Sequence, residues 1–373
     1  MKKKLKDVCD FFTGTGFPVI YQGKADGELP FYKVGDIANN VINGHVYLQS
    51  CKNYISRKIA KDIKGVIVPK DTIVFAKIGE ALKLNRRAIT STECLIDNNT
   101  LGICPKNQII RTKYFYYFLK KLKMQNLAET TTVPSVKKST LENIIINIPP
   151  LQNQLYIENI LNTTSNIISN YQEELIQLEL LTKALFVEMF GDPMLNAKKW
   201  SKIPFHEVIK YANNGMSRRG NDKNGSIVLR LTELQKGYID YANPNKILLT
   251  DIEKEKYLLF NNDLLFARVN GNPMNVGRCA EFIILDEPVY YNDHIIRVRV
   301  DAKKLNSCFA NILFNSKYGK KELSNKIKTS AGQYTISQDG IGAVQIILPP
   351  IKLQEKFADS IKQIDKHKLL IID

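Results

Sequence analysis

The chain repeats itself, and no other feature constrains its fold as much. Ile148-Pro149-Pro150-Leu151 returns as Leu348-Pro349-Pro350-Ile351, displaced by 200 positions. The match continues downstream, Gln154 with Gln354, Ile157 with Phe357 and Leu161 with Ile361, so the same amphipathic helix is predicted after each Pro-Pro step. Upstream, Thr72-Ile73-Val74-Phe75-Ala76-Lys77 is similar to Asp263-Leu264-Leu265-Phe266-Ala267-Arg268, displaced by 191, and Arg87 and Arg278 keep that displacement. Asp97-Asn98 takes the place of Asn292-Asp293. Leu5-Lys6-Asp7-Val8 faces Phe205-His206-Glu207-Val208, with glycine turns at Gly14 and Gly215. Two copies of one unit account for the 373 residues.

Each copy reads as α+β, with short strands, few helices and one long helix at its end. Strands are predicted at 65–68, 73–76, 144–146, 264–267, 295–300 and 344–347, most of them bounded by Gly, Pro, Asn or Asp. Helices are predicted at 112–123 and 303–315. From Leu151 to Phe190 the pattern becomes helical. Leu161, Ile168 and Leu175 are spaced by seven, and Ile157, Tyr171, Leu178 and Leu185 by multiples of seven, which makes a coiled-coil seam. Phe357, Ile361, Ile364 and Ile371 supply a returning partner and favour a coil over an ordinary core helix. Pro149-Pro150 suits helix entry, and Gly191 with Pro193 suits its stop. Asn162-Thr163-Thr164-Ser165-Asn166 is a weak helix former and marks a predicted kink. The domain boundaries follow as 1–148, 149–190, 191–348 and 349–373.

Charge narrows the function. Lysine and arginine number 53 against 37 acids, a net +16, which favours a polyanionic partner. No run approaches the ~18 apolar residues of a membrane helix, and no apolar stretch follows the basic start, so the chain is expected in the cytoplasm. Cys9, Cys51, Cys94, Cys104, Cys279 and Cys308 are scattered, without CxxC spacing, and His45, His206, His294 and His367 are isolated. Neither a metal site nor a disulfide framework is indicated.

Phe12-Thr13-Gly14-Thr15-Gly16 matches the FxGxG turn that methyltransferases use for S-adenosylmethionine, but no apolar strand precedes it, Pro18 follows, and its counterpart keeps one glycine. Asn147-Ile148-Pro149-Pro150 departs from the Asn-Pro-Pro-aromatic motif of amino-methyltransferases and reads as a helix entry. No phosphate-binding loop, HExxH or GxSxG is present. A basic, repeated, motif-poor chain fits a binder that meets two segments of one polymer. The candidate DNA readers follow equivalent strands: Lys77, Arg86 and Arg87 in the first copy, Arg268, Asn272, Asn275 and Arg278 in the second. Arg and Asn bond guanine and adenine edges, and lysine holds phosphates. Lys33 with Arg230, Arg218 with Arg219, Thr131 with Thr132, and Gln333 with Tyr334 complete the set.

These residues resemble the specificity subunit of type I restriction-modification systems. The strongest local match is the run Leu185 to Trp200, which is similar to the Phe-Gly-Asp-Pro then Asn-x-x-x-Trp junction of that family. The resemblance implies two target recognition domains, each reading one half of a bipartite duplex DNA site, held apart by two antiparallel helices. It further implies that modification subunits, two of them, carry S-adenosylmethionine and catalysis, and that restriction subunits translocate and cleave DNA. No cofactor is expected on this chain itself. The second helix, 23 residues against 40, departs from the family pattern and leaves partial pairing as the expectation. Two other readings stay open: a self-contained DNA methyltransferase or nuclease, and a protein-interaction adaptor without a DNA role.

Overall fold

A computed structural model describes residues 1–49, 51–129, 133–330 and 332–372, without the side chains of 330 and 372. The chain divides into two compact units, Met1–Gln172 and Glu173–Asp373, so the boundary falls inside the long helix Leu151–Phe190. Both units are α+β and share one topology. In the first, a four-stranded antiparallel sheet runs in the order Cys9–Thr13, Thr100–Pro105, Ile73–Ala76, Arg87–Ile89. In the second, the order is Ile209–Asn214, Ile295–Val300, Leu264–Ala267, Cys279–Glu281. A three-stranded sheet accompanies each. In it, the strands Leu29–Tyr32 and Ser226–Leu229 are flanked by one antiparallel and one parallel neighbour.

Alternation along the central strand explains the burial on both faces. Ile73 and Phe75 join Leu101, Ile103 and Phe115 in one core, while Val74 packs with Ala88 and Ile96 in another. Leu264 and Phe266 in one cluster, and Leu265 and Ala267 in another, do the same in the second unit. The glycines Gly14 and Gly215 sit where two backbone segments of the same unit cross. A Cβ on Gly14 would lie 1.7 Å from the Asp97 carbonyl oxygen, and one on Gly215 would lie 2.2 Å from that of Asn292. Close backbone approach therefore requires glycine at this point in both copies.

Strand register also corrects one alignment. Phe75 lies opposite Arg87 but Phe266 lies opposite Cys279, so the counterpart of Arg278 is Arg86. Residues 65–68 form no strand. Only Val68 bridges to Cys94, while Val66 and Ile67 stay exposed, because Gly65 and the Pro69 turn leave no paired neighbour. The helices settle at Thr112–Lys121 and Ser307–Asn315, the latter capped by Asn306, whose side chain accepts from Phe309 N.

The helix Leu151–Phe190 runs without a break through Asn162–Asn166, where Thr164 returns its hydroxyl to the Ile160 carbonyl at 2.9 Å; the predicted kink is absent. Its first half is tied to the first unit. Glu158 pairs with Arg111 at 2.7 Å, and Tyr117 donates to Asn162 at 2.8 Å. Its second half packs antiparallel on the C-terminal helix Ile351–Ile372. Phe186 and Phe190 lie 5.7 and 5.2 Å from Phe357, and His367 meets Glu174 at 2.9 Å. Leu178 and Leu185 pack on this core beside buried Ile361 and Ile364. Ile157, Leu161 and Leu175 are half-buried, whereas Ile168 and Tyr171, expected in the seam, are 53% and 46% exposed. Within the second unit, the 22-residue second helix accompanies the long one as far as Glu174.

The junction after the helix is a stop signal in atomic detail. Gly191 adopts φ 76° and donates to the Val187 carbonyl, the left-handed cap that favours glycine. Asn196 then clamps Trp200 through two backbone bonds of 3.0 and 2.8 Å, and the indole donates to Phe190 O at 2.8 Å.

Candidate nucleic-acid interface

Register places three pairs of cations at the same points of the two units. Lys33 and Arg230 each follow the central strand of the three-stranded sheet. Lys33 N is held by Asp36 and Arg230 N by Glu233, at 2.8 and 2.7 Å. Lys77 and Arg268 end the central strand of the larger sheet, where Lys77 N donates to Asn99 O and Arg268 N to His294 O. Arg86 and Arg278 stand before the next strand. The strand ends thus bring a set of basic side chains to the same edge of each domain.

The side chains differ in how far the fold has already engaged them. Lys77 and Arg86 are half-buried and have no side-chain hydrogen bond or ion pair among the described residues, so they are available to phosphates or bases. Lys33 reaches Gln22 and lies over the Phe17 ring at 5.5 Å. Arg87 is a correction. It is 2% exposed and donates to Asn85 and to the Leu122 carbonyl at 2.7 Å, and burial pushes its pKa down to about 10. Arg87 is the first residue of a strand buried throughout, with its guanidinium 5.8 Å from the Phe75 ring centre, whereas Arg86 precedes that strand. Arg87 therefore closes the interior rather than a DNA surface.

In the second unit the readers converge on Asp293. Arg219 meets its carboxylate at 2.7 Å, Arg268 donates to its carbonyl at 3.0 Å, and Arg219 lies 3.2 Å from His294 Nε2. Arg218 pairs with Glu253 at 2.9 Å. Both arginines are exposed, and such surface pairs contribute little, so a duplex phosphate can displace them. Arg230 is held more firmly by Glu233, which is 5% exposed; although burial opposes its charge, Arg230, Thr232 and the backbone keep it below the usual carboxylate range. Arg278 donates to Leu231 O at 3.1 Å, and burial lowers its pKa. Asn272 caps the turn that follows by accepting from Met274 N. The loop carrying Asn272 and Asn275 is anchored where Val269-Asn270 pairs with Tyr334-Thr335, Gln333 being exposed and Tyr334 packed on the core. Thr131 and Thr132 lie outside the described residues.

Asp293, which the repeat had matched to the first copy without giving it a role, and His294, which was treated as isolated, were not named among the candidate readers. Among the described residues no group of three or more His, Cys, Asp or Glu side chains is placed to hold a metal, and all six cysteines are free.

Two segments of the chain, 1–180 and 198–372, match the family model described as type I restriction modification DNA specificity domain. The chain belongs to this family. Its two specificity domains coincide with the two copies of the repeat. It is 26% identical over 357 residues to the type I restriction enzyme StySPI specificity subunit of Salmonella potsdam, covering 91% of this chain and 76% of that protein. Against the EcoKI specificity subunit of Escherichia coli K12 the identity is 25% over 360 residues, with the same coverage. The fold is similar to the crystal structure of the S subunit of a type I restriction-modification system from M. genitalium, with TM-score 0.59, 12% identity, and 100% and 90% of the two chains covered.

Proposed function

We propose that this chain is the DNA sequence-specificity subunit of a type I restriction-modification complex, each specificity domain reading one half of a bipartite duplex target. One observation carries the reading: the three cation pairs Lys33/Arg230, Lys77/Arg268 and Arg86/Arg278 recur at the same register in both copies, while the loops around them differ. A shared frame supplies the phosphate grip, and divergent side chains supply two sequences. Methylation and cleavage belong to partner modification and restriction subunits, two modification subunits per chain, with S-adenosylmethionine on the modification subunit. The crossing that explains Gly14 supports this division. The exposed apolar residues Ile160, Ile167, Ile168 and Tyr171 share one side of the long helix and offer those partners a docking face. The six free cysteines fit a reducing cytoplasm, and among the described residues no helix is long and apolar enough to cross a membrane.

Mapping methylated bases in the host genome with and without this gene tests the reading. One bipartite motif should vanish on deletion and return on complementation. Unchanged methylation, or one-to-one binding of S-adenosylmethionine by the isolated chain in calorimetry, would contradict it.

A further inference from the structure

The second unit carries a cationic cleft whose two arginines have no counterpart in the first. Lys210, Tyr211, Lys256, Phe260, Arg297 and Arg299 line an open space of about 620 Å³, with Glu255 as the one carboxylate in the lining. Arg297 is 4% exposed and lies between two rings, 4.5 Å from the centre of Tyr211 and 5.4 Å from that of Tyr291. It donates to the Leu258 carbonyl at 2.6 Å, but no carboxylate pairs with it among the described residues and its Nε has no hydrogen-bond partner. Arg299 forms a two-pronged pair with buried Asp263 at 2.8 and 3.0 Å and stacks 4.4 Å from the Phe260 ring centre. Lys210 reaches Asp301 at 3.1 Å, and Lys256 lies over the Tyr257 ring.

The repeat provides an internal control. In the first unit the positions of Arg297 and Arg299 are Gly102 and Cys104, paired with Phe12 and Asp10 where the second unit has Asn213 and Tyr211. Thr72 stands where Asp263 does. The same sheet therefore forms in the first unit without these two arginines and their buried aspartate. Arg297 shares its unbonded Nε with Arg87 and Arg278, but it also lines an open cleft beside other cations, where an anion can complete it. Arginine beside lysine and aromatic rings suits a phosphate ester, whose oxygens accept several charged hydrogen bonds at once.

We infer that this cleft is a phosphate site, filled by a backbone phosphate of the duplex that the second domain reads. This rests on the proposed function. Tyr211 is three residues from Asn214 at the reader end of the same strand, ~10 Å at ~3.3 Å per residue. That span corresponds to roughly three base pairs of duplex rise, within reach of phosphates flanking the half-site.

The test uses the chain assembled with its modification subunits and the double substitution Lys210→Ala with Lys256→Ala, both exposed. Lys352→Ala with Lys356→Ala, on the C-terminal helix, removes the same charge elsewhere. Duplex affinity is measured against salt for target and unrelated sequences. The cleft variant should weaken both by the same factor, flatten the slope of log affinity on log salt by about one to two, and leave the methylated motif intact; the control should keep the wild-type slope. An unchanged slope, an equal change in the control, or an altered motif overturns the cleft assignment while wild-type binding stands. A wild-type complex without salt-dependent duplex binding overturns the functional reading itself.

Discussion

Gln154 and Gln354, 200 positions apart, make the same three hydrogen bonds. Each is 0% exposed. Each accepts from the backbone N of a helix-capping residue, Arg111 at 2.8 Å or Asn306 at 2.9 Å. Each donates to the first proline of its Pro-Pro step at 2.9 or 2.7 Å, and to Ile109 O or Lys304 O at 2.9 or 3.2 Å. The amide thus locks the start of the long helix to a helix of its own domain, with every lone donor satisfied.

Replacing either glutamine with alanine strands two carbonyls and one amide in a dry site. The loss should be about 2 to 4 kcal/mol in each case, read as a lowered urea midpoint of the full chain. Nearly equal losses at the two positions are expected from their equal bonding; a midpoint unmoved by either substitution would contradict the locking role.

The repeat made much of this fold legible, since Pro-Pro, Gln and the Phe-Ala-cation strand end recur in order and each has a backbone task. Strand pairing was not legible, because sequence gives alternation but not which strand lies beside which. That gap misaligned Arg87 with Arg278 by one residue and turned an interior arginine into a reader. Ile168 and Tyr171 are exposed in the chain alone, because heptad spacing names a face but not which partner covers it. Arg297 and Arg299 were visible as alternate residues of one strand face. Nothing in the sequence said that Tyr211 and Tyr291 would enclose one of them.

Arg87→Ala separates structure from recognition. Its guanidinium satisfies Asn85 and the Leu122 carbonyl inside the first domain, so its removal should cost about 2 to 4 kcal/mol of stability. The methylated sequence should not change. A variant of wild-type stability with a relaxed motif would return Arg87 to the DNA surface.

The long helix should act as a ruler. Four residues inserted after Ser169 avoid the half packed on the C-terminal helix and add ~6 Å of helix. At ~3.4 Å per base pair the unspecified spacer should lengthen by one or two base pairs with both half-sites intact, although a rotation of about 40° lets DNA bending absorb part of the change. Sequencing the methylated sites of the insertion variant checks this. An unchanged spacer at full activity would show that the helix does not set the distance.

The division of one half-site per domain is tested most directly by mapping methylated motifs for two double variants in the assembled complex. Lys77→Ala with Arg86→Ala removes two unengaged candidate readers of the first domain. Arg219→Ala with Arg268→Ala removes the pair that converges on Asp293 in the second. Each lost base contact should cost ~1 to 3 kcal/mol at one position. The account predicts that the first variant relaxes or weakens one half of the motif and the second variant the other. Relaxation of the same half by both variants would contradict it.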